Sequence, residues 1–224
     1  MNRVLFYVPN LIGYGRIITA IWAYYVAFSN PTWFLVLYTV SFVADAADGI
    51  AARALNQCSR FGAVLDMVTD RAGTSGLVLI VSHLLRSYRP DEAELIAFAG
   101  ALLVGLDIVS HFARMYKGLA LGEKSHKDGK SMFWFLDMYY GKRSVMAPLC
   151  VGQEFFYLAL YVVAQASHPQ AGVLATAAPY LHGPVLAVLG VLCGLKQVTN
   201  VMQFVDSMSL IADDDLKAEK SKSK

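Results

Sequence analysis

Residues 45–70 read DAADGIAARALNQCSRFGAVLDMVTD, and their interpretation decides the fold. Asp45, Asp48, Asp66 and Asp70 stand here between segments that are almost continuously apolar. A carboxylate at membrane depth costs roughly 2.5–3.5 kcal/mol on insertion scales. Four of them cost on the order of 10 kcal/mol, comparable with the whole net stability of a domain. Something must compensate that cost. Asp45 and Asp48 are related as i,i+3 and Asp66 and Asp70 as i,i+4, so each pair shares one face of a helix. Two such helices set face to face make a four-carboxylate cage, which suits hard divalent cations such as Mg²⁺ or Mn²⁺.

The surrounding chain fits a membrane setting. Of its 224 residues, 56% are hydrophobic and only 16% charged, against about 25% charged in soluble domains. The formal net charge is +2, and nothing in its distribution points to nucleic acid. Cys58, Cys150 and Cys193 are widely spaced without a metal-ligand pattern and read as free thiols. The first residues, MNRVLFYVPNLIGYGR, lack the layout of a cleaved signal peptide.

The expected fold class is all-α, a polytopic membrane protein with six transmembrane helices. Residues 1–8 form a short interfacial segment ahead of Pro9. Spans are expected at about 11–29, from 33 past Arg53, 60–85, 94–114, 145–166 and 175–205, the last with a kink or late start near Gly183-Pro184. Residues 115–144 are the longest polar segment, with Lys117, Lys124, Lys127, Lys130, Lys142 and Arg143. Most of these lysines read as solvated and drawn to anionic headgroups. Tyr139-Tyr140 and Trp33 read as interfacial anchors. The membrane domain is taken as 1–212, and residues 213–224 as a charged, disordered tail.

Six spans put both termini on one side of the membrane. Arg3, Arg16, Arg53, Arg60, the 114–144 cluster and the tail lysines fall on that side. The opposite loops hold Arg86 and Arg89, offset by Asp91, Glu92 and Glu94. The positive-inside rule therefore assigns the termini, and the aspartates, to the cytosol. Lys220 and Lys222, fifth and third from the end, resemble a dilysine retrieval signal of the endoplasmic reticulum; an ordinary lysine-rich tail is the other reading.

With its spacing written out, the central stretch is Asp45-x2-Asp48-Gly49-x2-Ala52-Arg53-x8-Gly62-x3-Asp66-x3-Asp70. This resembles the signature of the CDP-alcohol phosphatidyltransferases at every specified position. Gly49, Ala52 and Gly62 leave room beside the carboxylates for a nucleotide, close helix packing being the alternative. Arg53 supplies a planar cation for phosphate or for an aspartate. The resemblance implies that an acceptor alcohol attacks the β-phosphorus of a CDP-linked lipid and that CMP leaves. It implies two divalent ions held by Asp45, Asp48, Asp66 and Asp70, with Asp70 also the general base. Ser59 resembles the family's small hydroxylated substrate contact, and Asn10 is placed near the pyrophosphate. Asn10 also reads as a helix N-cap.

Longer stretches, VPNLIGYGRI (8–17), AARALNQ (51–57), RFGAVLDMVTDR (60–71), DIVSH (107–111), GEKSHK (122–127) and GQEFFYLALY (152–161), resemble the eukaryotic branch of that family whose acceptor is inositol. The resemblance implies CDP-diacylglycerol and myo-inositol as substrates, an endoplasmic-reticulum membrane location and a homodimer. Ser125, His126, Lys127 and Arg143 are the candidate inositol contacts. Asp107 and His111, i,i+4 in the fourth span, are either functional or each other's structural partners. Two alternatives stand beside this reading. One is transfer to another alcohol such as glycerol 3-phosphate. The other is a divalent-cation transporter, disfavoured because the acids sit at helix ends and no repeat is visible.

Overall fold

A computed structural model describes residues 2–122 and 131–222, and every regular element among them is helical. A 3₁₀ turn, Arg3–Phe6, precedes α1 (Val8–Val26); then follow α2 (Pro31–Ala54), α3 (Arg60–Tyr88) and α4 (Ala93–Ala120). A short α5 (Trp134–Gly141), α6 (Arg143–Gln165), α7 (Val173–Ala177) and a long α8 (Pro184–Lys222) complete the chain.

The helix starts follow from local chemistry. Asn30 accepts from the Trp33 amide through its side chain at 3.1 Å, and Pro31 opens α2 where no amide is needed. Ser59 Oγ accepts from the Gly62 amide at 3.0 Å and starts α3. Between α2 and α3, Asn56 adopts φ +53°, a left-handed conformation that Asn tolerates. Gly183, at φ +59°, precedes Pro184, so the last long helix starts late, at the point the Gly-Pro pair marks.

The tail and the 115–144 segment differ from expectation. The charged tail is helical as far as Lys222 rather than disordered. Asp213 and Lys217 lie i,i+4 with the acid first, and the intervening residues continue the helix. The 115–144 segment is not a continuous polar loop, because α4 extends to Ala120 and α5 is inserted within it. Among the described residues, four stretches are long and apolar enough to cross a membrane: Pro31–Ala54, Pro90–Ala120, Arg143–Gln165 and Pro184–Ser221. α1 and α3 are not among them, since Asn10, Arg16 and several tyrosines dilute one and two aspartates, arginines and small polar residues the other. Much apolar surface faces outward, including Ile18, Ile21 and Trp22 on α1 and Val36, Val40 and Val43 on α2. Apolar surface on that scale marks contact with lipid or protein.

The chain divides into two compact units, Met1–Ala101 with Tyr157–Gly183, and Leu102–Phe156 with Pro184–Lys224. In the first, α1 packs on both α2 and α3. Tyr24 Oη donates to the Ala72 carbonyl of α3 at 2.9 Å, and a Cβ on Gly76 would lie 2.4 Å from the Tyr24 ring. Only glycine lets α1 and α3 approach so closely there. Tyr161 Oη and Gln165 Nε2 both donate to the Ala27 carbonyl, at 2.6 and 3.1 Å, closing the end of α1. The Phe34 and Tyr161 rings meet at 4.1 Å between centroids.

The second unit has a polar interior. Lys117 and Asp206 are 3% and 1% exposed and pair at 3.7 Å. Asp206 also accepts from Ser131 Oγ at 2.7 Å and from the Met132 amide at 2.8 Å. Gln203 donates to the Ser110 carbonyl at 2.9 Å and accepts from Tyr140. Lys117 is therefore a buried residue rather than part of a solvated face. Tyr139 and Tyr140 are not interfacial anchors: Tyr139 is buried, and Tyr140 stacks under the Arg114 guanidinium at 4.5 Å. Desolvation pushes the Tyr140 phenol well above its ordinary pKa, so it stays a neutral donor.

Candidate active site

The site lies wholly within the first unit and is built by α1, α2 and α3. Helical spacing carries Asp45 and Asp48 on the last half of α2, and Asp66 and Asp70 on the first half of α3. The turn capped by Ser59 folds α3 back so that the two pairs face each other. Carboxylate oxygens of Asp45, Asp48 and Asp66 lie within 4.8 Å of one another. The fourth carboxylate, Asp70, reaches the same point through a shared partner.

That partner is Arg16 of α1, whose part in the positive-inside pattern does not by itself mark it as a site residue. Its Nη1 stands 2.7 Å from Asp48 Oδ2 and 3.0 Å from Asp66 Oδ1. Its Nη2 stands 2.9 Å from Asp45 Oδ1 and also contacts Asp70 Oδ1. The arginine side chain is 4% exposed, whereas the aspartates range from 11% for Asp48 to 47% for Asp66. A buried cation thus gathers four acids, of which Asp48 is buried with it while Asp45, Asp66 and Asp70 stay partly open. Arg71 approaches the other oxygen of Asp70, at 3.7 Å. The signal in the sequence is a lone cation in the otherwise uncharged run 11–29, which must find carboxylates once buried.

A cleft of about 170 Å³ opens beside the cage. It is lined by Asp48 and Asp66 and by five further residues expected there, Asn10, Gly49, Ala52, Ser59 and Gly62. Pro9, Gly13, Gln57, Cys58, Ala63 and Leu65 complete the wall, and none of these was anticipated. Asn10 is not an N-cap. It lies inside α1, is 1% exposed, and donates to the Val4 carbonyl at 2.6 Å. Gln57 accepts from the Val8 amide at 2.8 Å, so the α2–α3 turn holds the start of α1 against the cleft. A Cβ on Gly62 would come within 2.9 Å of Asn10 Oδ1 and 3.1 Å of Ser59 Oγ. The Asn10 amide is held through its Nδ2, which donates to the Val4 carbonyl, and Ser59 Oγ accepts from the Gly62 amide, so a side chain at 62 would crowd the cleft floor. Arg53 does not line the cleft; its guanidinium runs along Gly49, 3.4 Å from where a Cβ would stand.

Ser125, His126 and Lys127 lie outside the described residues, and Arg143 is an exposed residue at the start of α6 in the second unit. Asp107 is buried and holds His111 Nδ1 at 2.8 Å through its carbonyl and at 3.7 Å through Oδ1. Asn200 of α8 reaches the same carboxylate at 3.5 Å, which favours the structural reading of this pair. All three cysteines are free.

An all-helical, lipid-compatible chain with facing carboxylate pairs beside a narrow cleft defines the class. The CDP-alcohol phosphatidyltransferase family model matches residues 6–124, and the chain belongs to that family. It is similar to the probable CDP-diacylglycerol–inositol 3-phosphatidyltransferase 2 of Arabidopsis thaliana, 45% identical over 72% of this chain and 68% of the relative. The CDP-diacylglycerol–inositol 3-phosphatidyltransferase of Saccharomyces cerevisiae is 37% identical over 100% of this chain and 94% of its own length. The Homo sapiens enzyme of the same name is 36% identical over 76% of this chain and 77% of its own. No solved structure matches the chain.

Proposed function

We propose that the protein is a transferase that moves the phosphatidyl group from CDP-diacylglycerol to myo-inositol, giving phosphatidylinositol and CMP. The observation that carries this reading is the convergence of four aspartates from two helices beside a cleft that Asp48 and Asp66 line together with small residues. The full-length similarity to named inositol phosphatidyltransferases supports the acceptor.

The donor set fits a hard divalent cation: all ligands are carboxylate oxygens, close together, and already drawn around one positive group. Asp45, Asp48, Asp66 and Asp70 would hold two ions, Mg²⁺ or Mn²⁺. Bound there, such ions supply Lewis-acid stabilisation of charge on the diphosphate and on departing CMP. The protein's residues do the rest. Asn10, Gly49, Ala52, Ser59 and Gly62 seat the nucleotide and diphosphate, with Arg53 at the rim. Asp70 takes the proton of an inositol hydroxyl as that oxygen attacks the β-phosphorus. The bond from the β-phosphorus to the bridging oxygen breaks, and CMP leaves with that oxygen. A carboxylate is a weak base, so Asp70 depends on placement at the hydroxyl. Ser125, His126, Lys127 and Arg143 complete the reading as inositol contacts.

Six spans are proposed, counting α1 and α3, whose outward apolar faces supplement the four helices that qualify on hydropathy. Both termini and the cage then face the cytosol of the endoplasmic reticulum, where water-soluble inositol meets a lipid donor. The active form is proposed to be a homodimer. The acceptor is tested by incubating purified protein with Mg²⁺ or Mn²⁺, labelled CDP-diacylglycerol and a panel of alcohols. CMP release is expected only with inositol; equal turnover with glycerol 3-phosphate, or none with any alcohol, would sink the assignment.

A further inference from the structure

Given that the cage is a divalent-cation site, as proposed above, we infer that Arg16 is a built-in counter-cation. It competes with the metal ions for the four aspartates and so sets the cation concentration at which the site loads. The geometry is that of a substitute rather than a bystander. Nη1 is shared between Asp48 of α2 and Asp66 of α3, at 2.7 and 3.0 Å. Nη2 is shared between Asp45 of α2 and Asp70 of α3. Each terminal nitrogen therefore ties one α2 carboxylate to one α3 carboxylate, placing positive charge among the same carboxylates that would hold the metal ions.

One oxygen of every aspartate is occupied in this way. Paired catalytic ions stand about 3.5–4 Å apart and each draws on several oxygens. A single rigid guanidinium in contact with all four acids cannot keep every contact while both ions take theirs. Among the described residues the guanidinium is held through these acidic contacts. Its Nε is buried without a hydrogen-bond partner, so the fork is held at its two terminal nitrogens. The Arg16 main chain is held independently, its carbonyl accepting from Ser41 Oγ of α2 at 3.0 Å.

Charge gives the direction. Four carboxylates with Arg16 carry −4 + 1 = −3, and −4 without it. Arginine thus weakens the attraction for cations, while it keeps the metal-free cage from repelling itself. With two divalent ions bound, the formal sum is +1 with Arg16 and zero without it, so the arginine also leaves the loaded site attractive to a diphosphate.

The test measures Mn²⁺ binding to the purified full chain in detergent, by the electron-paramagnetic-resonance signal of free Mn²⁺, with no substrate present. Arg16→Gln is expected to bind Mn²⁺ about tenfold or more tightly than the wild type, since a shorter neutral amide removes a competing charge at contact distance. Arg16→Lys, a point charge without the fork, is expected to fall between them. Arg16→Gln should also melt lower in chelator and recover when Mn²⁺ is added. A gain in affinity is not something a merely damaged cage produces. Binding by Arg16→Gln that equals or falls below the wild type would overturn the competition. If that variant does not fold, Arg16→Lys decides: tighter binding supports it, unchanged or weaker binding refutes it. If neither the wild type nor the variants bind Mn²⁺, the metal reading itself falls and takes this one with it. If the wild type binds and the variants bind no tighter, only the role of Arg16 is lost.

Discussion

Asp66→Asn is expected to abolish CMP release, lowering turnover by at least about 10³-fold, equivalent to roughly 4 kcal/mol of transition-state stabilisation. Asparagine matches aspartate in shape, and its side-chain oxygen can still accept from Arg16 Nη1, which stands 3.0 Å from Asp66 Oδ1 in the native chain. The fold should therefore survive, as judged by an unchanged melting profile in detergent. What is lost is one negative charge in a set of four, from a residue that both lines the cleft and belongs to the close carboxylate cluster. Mn²⁺ binding should weaken in step with activity. Full activity in this variant would refute the metal role of the cage.

Asp70→Asn separates chemistry from assembly. Asp70 lies one turn beyond Asp66 on α3 and does not line the cleft. Its proposed part is to take the acceptor's proton and to assist the second ion. The expected result is a fall in kcat of about 10²–10⁴-fold, the range for loss of a positioned acid or base. The KM for CDP-diacylglycerol should change little, and at least one Mn²⁺ should still bind through Asp45, Asp48 and Asp66. A kcat within a few-fold of the wild type would remove Asp70 from the proton transfer. A rise in KM with kcat unchanged would make it a binding group instead.

The contrast between the two units explains how far the sequence could be followed. The cage is legible because four acids in an apolar chain are costly and periodic, and their spacing alone assigns them to two facing helices. The cleft follows, since Gly62 and Gly49 fall on the faces that those spacings turn inward. Arg16 is harder: α1 offers one cation in an apolar run, and only tertiary packing shows that it meets all four aspartates. The polar interior of the second unit was equally hidden. Lys117 belongs by composition to a basic segment, and nothing near it in the chain announces Asp206 as its partner. Burial of Asn200 and Gln203 on α8 depends on which face of a long, weakly amphipathic helix is covered, and local pattern does not decide that. The tail misled for the opposite reason. Its charges suggest disorder by composition, yet Asp213 and Lys217, i,i+4 with the acid first, continue a helix that is already formed.

The metal dependence of the reaction tests the cage most directly. The protein is stripped with chelator, supplied with labelled CDP-diacylglycerol and inositol, and then titrated with Mg²⁺ or Mn²⁺ while CMP and phosphatidylinositol are counted. No product should form in excess chelator, and turnover should return with added cation, both products rising in equal amounts. Undiminished turnover in excess chelator would contradict the account, because four aspartates and one arginine would then be doing their work without the ions the cage is proposed to hold.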